Sequence, residues 1–182
     1  PLDMRCPPAK EYMSHVWTPT RVVGDTNGDG EPDFLMGVYS DTTSGYDEYY
    51  DVESGAAYLW YGPPSERNTF AYADVRMWGA TEVSAAGYRV GAAGDVNGDG
   101  LADIVVANLN DTHDLTYGGG LSVVLGPPTD EMSLADADAQ VWSHATHDGL
   151  DYTKVEMLPD LDGDGLPDLI HGGGEGIDGP NT

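Results

Sequence analysis

Three short acidic segments hold most of the chemistry this chain can perform. They are Gly24-Asp-Thr-Asn-Gly-Asp-Gly-Glu-Pro-Asp33, Gly94-Asp-Val-Asn-Gly-Asp-Gly-Leu-Ala-Asp103 and Pro159-Asp-Leu-Asp-Gly-Asp-Gly-Leu-Pro-Asp168. Counted from the first Asp, oxygen-bearing side chains stand at positions 1, 3, 5 and 9. These are Asp25, Asn27, Asp29 and Asp33 in the first segment, Asp95, Asn97, Asp99 and Asp103 in the second, and Asp160, Asp162, Asp164 and Asp168 in the third. Position 7 offers a main-chain carbonyl, from Glu31, Leu101 or Leu166, and position 6 is glycine each time. A tight turn with inward side chains at alternate positions delivers the roughly six to eight hard oxygens that Ca2+ takes, at distances that ion tolerates. Mg2+ suits such all-protein cages less well, because it keeps its waters. The expectation is three calcium sites. Asp, Asn and Gly also populate ordinary turns, where Asx side chains cap their own backbone. Recurrence of all four oxygen positions in three copies is what favours the metal.

These loops differ from an EF-hand, whose twelfth position is a bidentate Glu between two helices. Position 12 here is Met36, Val106 or His171, and the flanking runs read as strands. The elements that position the loops are themselves repeated. Gly55-Ala-Ala-Tyr-Leu-Trp-Tyr-Gly-Pro-Pro64 falls on Gly119-Gly-Leu-Ser-Val-Val-Leu-Gly-Pro-Pro128, and Ala73-Asp74 with Trp78 falls on Ala137-Asp138 with Trp142. A period of about 65 residues that carries short apolar runs is a supersecondary unit repeated in space. In the second unit, strands are expected at Arg89–Ala93, Asp103–Asn108, Leu121–Leu125 and around Trp142. The third unit should contribute Val155–Leu158 and Asp168–His171. The stretch Thr129–Asp148 lacks Gly and Pro and could be helical, but its counterpart carries β-favouring Phe70, Tyr72 and Val75, so strand is preferred. Domain boundaries follow: an N-terminal extension over 1–16, complete units over 17–80 and 81–144, and a partial unit over 145–182.

The stretches Gly87-Tyr-Arg-Val-Gly-Ala-Ala-Gly-Asp-Val-Asn-Gly-Asp-Gly-Leu-Ala-Asp-Ile-Val-Val-Ala-Asn108, GGGLSVVLGPP and SLADADA (Ser133–Ala139) resemble the FG-GAP repeats of integrin α-subunit β-propellers and their secreted bacterial relatives. The resemblance extends over nearly the whole chain from Trp17. It implies an all-β fold of propeller-type blades, each a four-stranded antiparallel meander, with about two and a half blades present. It also implies that the calcium loop joins the first two strands of each blade, and that the protein is secreted or on the cell surface as a structural or adhesive module. Two departures fall at positions that govern blade packing. The aromatic-Gly pair is replaced by Gly87-Tyr88 and Asp151-Tyr152, and the closing Gly-Ala-Pro by Val106-Ala107-Asn108 and Gly37-Val38-Tyr39. Rings of this class need several more blades, typically about 4 to 8. Either further blades belong to the same polypeptide, or copies of the chain complete one another as an oligomer or filament. In the second case the segment Met4–Val16 is available to add as a strand to a neighbour's unfinished third blade.

Composition narrows the partners. With 7 Lys and Arg against 32 Asp and Glu, the formal net charge is −25; no basic face can be built, so nucleic acid is excluded as a ligand. Such charge repels itself in a compact state unless bound cations cancel part of it. The 182 residues are 40% hydrophobic with 4 Trp and 11 Tyr, enough for a core and unlike an acidic disordered tail. No apolar run is long enough to cross a membrane. The first ten residues, PLDMRCPPAK, do not read as a signal peptide. Cys6 is the only cysteine, either unpaired or bridged to a cysteine in further sequence of the same polypeptide or in another chain.

No nucleophile elbow or phosphate loop is present, and the patterned carboxylates are accounted for by metal. The protein therefore reads as a non-enzyme. The alternative is a secreted hydrolase or lyase acting on glycans or phosphoesters from the propeller face. His144 and His147 beside Asp148 could pair on a transition metal, but a third ligand is missing and loop histidines are the simpler reading. The insertion Asp41–Ser54, with Tyr46, Tyr49 and Tyr50, is either a surface for a protein or glycan partner or a solvated acidic loop. Asp41 itself reads as a surface residue whose removal should do little.

Overall fold

The computed structural model describes residues 19–41, 54–63, 70–81, 84–109, 119–128, 131–142, 155–158 and 160–171. Among these residues, short runs of β-branched and aromatic residues between turn formers become eleven strands: β1 (Thr20–Gly24), β2 (Asp33–Val38), β3 (Ala56–Trp60), β4 (Val75–Trp78), β5 (Ala86–Gly94), β6 (Asp103–Asn108), β7 (Gly120–Val124), β8 (Glu131–Ser133), β9 (Ala139–Trp142), β10 (Val155–Leu158) and β11 (Asp168–His171). The first four form an antiparallel meander, and β5-β6-β7-β9 form a second. A hairpin of β10 and β11 begins the third unit. The chain is all-β and built as propeller-type blades; the described residues contain no α-helix.

Three details depart from the sequence reading. β5 begins at Ala86 because the Ala86 N–H donates to the Ser54 carbonyl at 2.9 Å, which ties the strand to the first blade. β7 ends at Val124 because the next N–H, that of Leu125, donates to the Asp138 carboxylate at 2.9 Å and leaves the ladder. The stretch from Thr129 is not one strand: β8 pairs parallel with β4 of the first sheet, making that sheet five-stranded, and only after a turn does the chain enter β9 in its own sheet. The turn is a single 3-10 turn at Leu134–Asp136. Ser133 Oγ caps it by accepting from the Ala135 N–H at 3.2 Å, while Leu134 is fully buried between the sheets. That buried leucine makes the segment a clasp between blades.

Successive side chains on a strand point to opposite faces, and both faces of the central strands are used. Leu35, Ala57, Leu59, Val75 and Met77 of the first sheet pack against Val90, Ile104, Val106, Val124 and Leu134 of the second unit. The opposite face of the first sheet carries Met36, Val38, Tyr58 and Trp60, and that of the second Val105, Ala107, Leu121 and Val123. Antiparallel sheets usually wet one face. Burial on both is what a stack of blades requires. The sheets touch most closely where Gly37 opposes Gly87: a Cβ on Gly37 would lie 2.0 Å from the Gly87 carbonyl oxygen, and Gly87 has φ of +80°. Beside them the Tyr39 and Tyr88 rings meet edge to face, 5.6 Å between centroids. One instance of each motif departure, Gly37-Val38-Tyr39 and Gly87-Tyr88, therefore meets the other at this junction, where tyrosines lie beside paired glycines.

Candidate metal centre

The three acidic loops join β1 to β2, β5 to β6 and β10 to β11, at one end of their hairpins. Each is organised around its position 1 carboxylate. Asp25 accepts the N–H of Gly28 at 2.7 Å on Oδ1 and that of Gly30 at 2.8 Å on Oδ2. Asp95 takes Gly98 and Gly100 at 2.7 and 2.9 Å, and Asp160 takes Gly163 and Gly165 at 2.6 and 2.9 Å. The glycines at positions 4 and 6 have φ between +78° and +94° in every loop, a region that side chains strongly disfavour. The chain must turn left-handed twice to wrap its amides around one carboxylate. Position 5 then accepts from position 7: Glu31, Leu101 and Leu166 N–H each donate at 2.8 Å to Asp29, Asp99 and Asp164.

Position 9 ties the loop to the sheet. Asp33, Asp103 and Asp168 accept the position 2 N–H, from Thr26, Val96 and Leu161, at 2.8, 2.7 and 2.5 Å. The second oxygen of Asp33 accepts from Gly62 at 2.7 Å, and that of Asp103 from Gly126 at 2.9 Å. These are the glycines of the repeated Gly-Pro-Pro, which the sequence marked as a repeat without revealing its purpose. Asp74 and Asp138 complete the pattern by accepting the N–H of Tyr61 and Leu125, at 2.8 and 2.9 Å. Sequence reasoning missed these four residues as positioning groups. The signal was their common offset between units.

A carboxylate has about four lone-pair sites, so an acid holding two amides can still bind a cation. In the third loop, carboxylate oxygens of Asp160, Asp162 and Asp168 lie within 4.8 Å of one another. Hard, anionic oxygens gathered so closely repel unless a cation sits among them, and the donor set is that of Ca2+. The residues of the third loop therefore fit the ion, whereas among the described residues of the first two loops no three carboxylates come within that distance of one another. Positions 1, 3, 5 and 9 of all three loops lie within the described residues.

Electrostatics divides the second loop. Asp99 is held below the ordinary carboxylate value by the Leu101 N–H and the Asn97 amide. Asp25 is also lowered: partial burial pushes it up, and the amides of Gly30, Gly28, Asp29 and Asn27 outweigh that. Asp103 goes the other way, raised by burial and by the charges of Asp99 and Asp95 despite the amides of Gly126 and Val96. A folded value above the unfolded one means that stability is present at low pH and lost as pH rises through the raised value. A cation beside Asp103 would remove that loss. The calcium-dependent gain in melting temperature should thus grow as pH rises from about 4.5 to about 7, past the carboxylate range. Thermal melts with and without calcium across that interval check this; a gain independent of pH would contradict it.

Cys6, His15, Tyr46, Tyr49, Tyr50, His113, His144, His147, Asp148 and the segment Met4–Val16 lie outside the described residues. No helix among the described residues is long and apolar enough to cross a membrane. Residues 86–124, which span β5, the second loop, β6 and β7, match the family model of the FG-GAP repeat. No curated protein aligns significantly with the chain.

Proposed function

We propose, from the premise that residues 86–124 are an FG-GAP repeat, that this propeller-type module binds three calcium ions and serves outside the cell as a structural or adhesive unit rather than as a catalyst. One observation carries the reading: three loops with the same oxygen positions, the same left-handed glycines and the same amide network, of which the third brings three carboxylates within 4.8 Å. Asp25, Asn27, Asp29, the Glu31 carbonyl and Asp33 hold the first ion. Asp95, Asn97, Asp99, the Leu101 carbonyl and Asp103 hold the second, and Asp160, Asp162, Asp164, the Leu166 carbonyl and Asp168 the third. Millimolar extracellular calcium matches the affinities of such modules, and binding removes charge from a chain of net −25. Buried faces on both sides of the blades suit work within a larger set, whether further blades of one ring or neighbouring copies.

Calorimetric titration of chelator-stripped protein tests this. The wild type should take up three ions and Asp99→Ala two, with the third loop keeping its wild-type affinity. Absence of calcium heat, or uptake unchanged by Asp99→Ala, would refute the assignment. Light scattering in calcium separates a neighbour-completed assembly from a monomer.

A further inference from the structure

The three loops are not independent turns: each lies against the next. A Cβ on Gly28, position 4 of the first loop, would lie 3.3 Å from Leu101 Cδ2, position 7 of the second; a Cβ on Gly98 would lie 3.2 Å from Leu166 Cδ2 of the third. The position 7 side chain of one loop thus covers the left-handed glycine of the loop before it. Between the first two loops there is also a polar link. The Ala102 N–H donates to the main-chain carbonyl of Asp25 at 2.7 Å. That N–H belongs to the same peptide group as the Leu101 carbonyl, the position 7 oxygen of the second loop, while Asp25 is the hub of the first. The packing is tight around it: a Cβ on Gly24 would be 2.8 Å from Ala102 Cβ, and one on Gly126 would be 2.7 Å from the Thr26 carbonyl and 2.9 Å from that of Ala102.

We infer that the Leu101–Ala102 peptide couples calcium binding in the first loop to binding in the second. This rests on the calcium reading above. An ion drawn to the Leu101 carbonyl polarises the peptide, and the N–H on its other side becomes a better donor to Asp25. Conversely, an ion in the first loop fixes Asp25 and so fixes the plane of that peptide. The link is particular to this pair, because position 8 is Ala102 only in the second loop. In the other two it is Pro32 and Pro167, and proline has no N–H to donate. The third loop meets the second at Leu166 without this bond, so its affinity is set nearly alone.

The test follows the amides of Gly30, Gly100 and Gly165 by NMR while calcium chloride is added to the stripped protein, so that each loop reports separately. Asp29→Ala should weaken calcium in the second loop by about fivefold, the worth of one hydrogen bond, and Asp99→Ala should weaken the first by the same factor, since coupling is reciprocal. The third loop should change by less than about twofold in Asp29→Ala, because no such bond joins it to the others. Ala102→Pro places at position 8 the residue both sister loops carry. It should leave three binding loops while abolishing the dependence of the second on the first. Second-loop titrations that are the same in wild type and Asp29→Ala overturn the coupling alone, and that comparison stands even if Ala102→Pro does not fold. A wild type whose amides do not respond to calcium overturns the calcium reading and the coupling with it.

Discussion

Calcium at about 10 mM should raise the melting temperature of the EGTA-treated protein by about 8 °C or more. Ligand that binds only the folded state stabilises by RT ln(1 + [L]/Kd), and at extracellular-type affinities near about 0.1 to 1 mM each site contributes about 1.4 to 2.7 kcal/mol. Three such sites give about 4 to 8 kcal/mol, and a chain of this size gains roughly 2 to 4 °C for each. The effect should be large because the unliganded protein confines its own charge: each loop carries three or four acidic side chains, carboxylate oxygens of Asp160, Asp162 and Asp168 lie within 4.8 Å of one another, and Asp103 is raised by its burial and by its charged neighbours. Magnesium at the same concentration should do much less, since it gives up its waters reluctantly. A melting temperature indifferent to EGTA would remove calcium from the account of this fold.

The second large effect lies away from the metal. Asp41→Ala should cost about 3 kcal/mol and lower the melting temperature by roughly 8 °C, without altering calcium stoichiometry. At the mouth of an acidic, tyrosine-rich insertion this residue reads as a surface charge. The structure corrects that reading: Asp41 is only 6% exposed. It accepts the Tyr58 hydroxyl, and its carboxylate lies 3.8 Å from Arg76 Nε. Its backbone also closes the base of the insertion, with the Gly55 N–H donating to the Asp41 carbonyl at 3.0 Å. Removing the carboxylate takes an acceptor from a buried hydroxyl and a counter-charge from a largely covered guanidinium, which is costlier than losing a surface pair. Asp41→Asn keeps one acceptor and should fall between the two. A change below about 0.5 kcal/mol, the scale of ordinary surface substitutions, would restore the surface reading.

What the amino-acid sequence determined by itself was local or periodic. The three loops could be read because their ligands, glycines and turns lie within nine residues of one another, and the same short-range stereochemistry recurs wherever the pattern does. The strands Asp103–Asn108, Val155–Leu158 and Asp168–His171 could be read residue by residue, since each is a short apolar run pinned by a loop of known geometry. The pairing of β8 with β4 could not, because that strand leaves its own unit for a place set by the buried Leu134. Nor could the role of Gly62 and Gly126, whose N–H groups hold acids 29 and 23 residues away in the chain. Asp41 was misread for the same reason, since its partners Tyr58 and Arg76 come from other strands of the sheet. The Ala102 link belongs to this second class: whether an alanine in place of proline matters depends on which carbonyl faces its N–H. Only the stacking of one blade on another brings the Asp25 oxygen there. Loop chemistry is encoded over a few bonds, whereas burial and coupling between loops arise when separate sheets exclude water from the space between them.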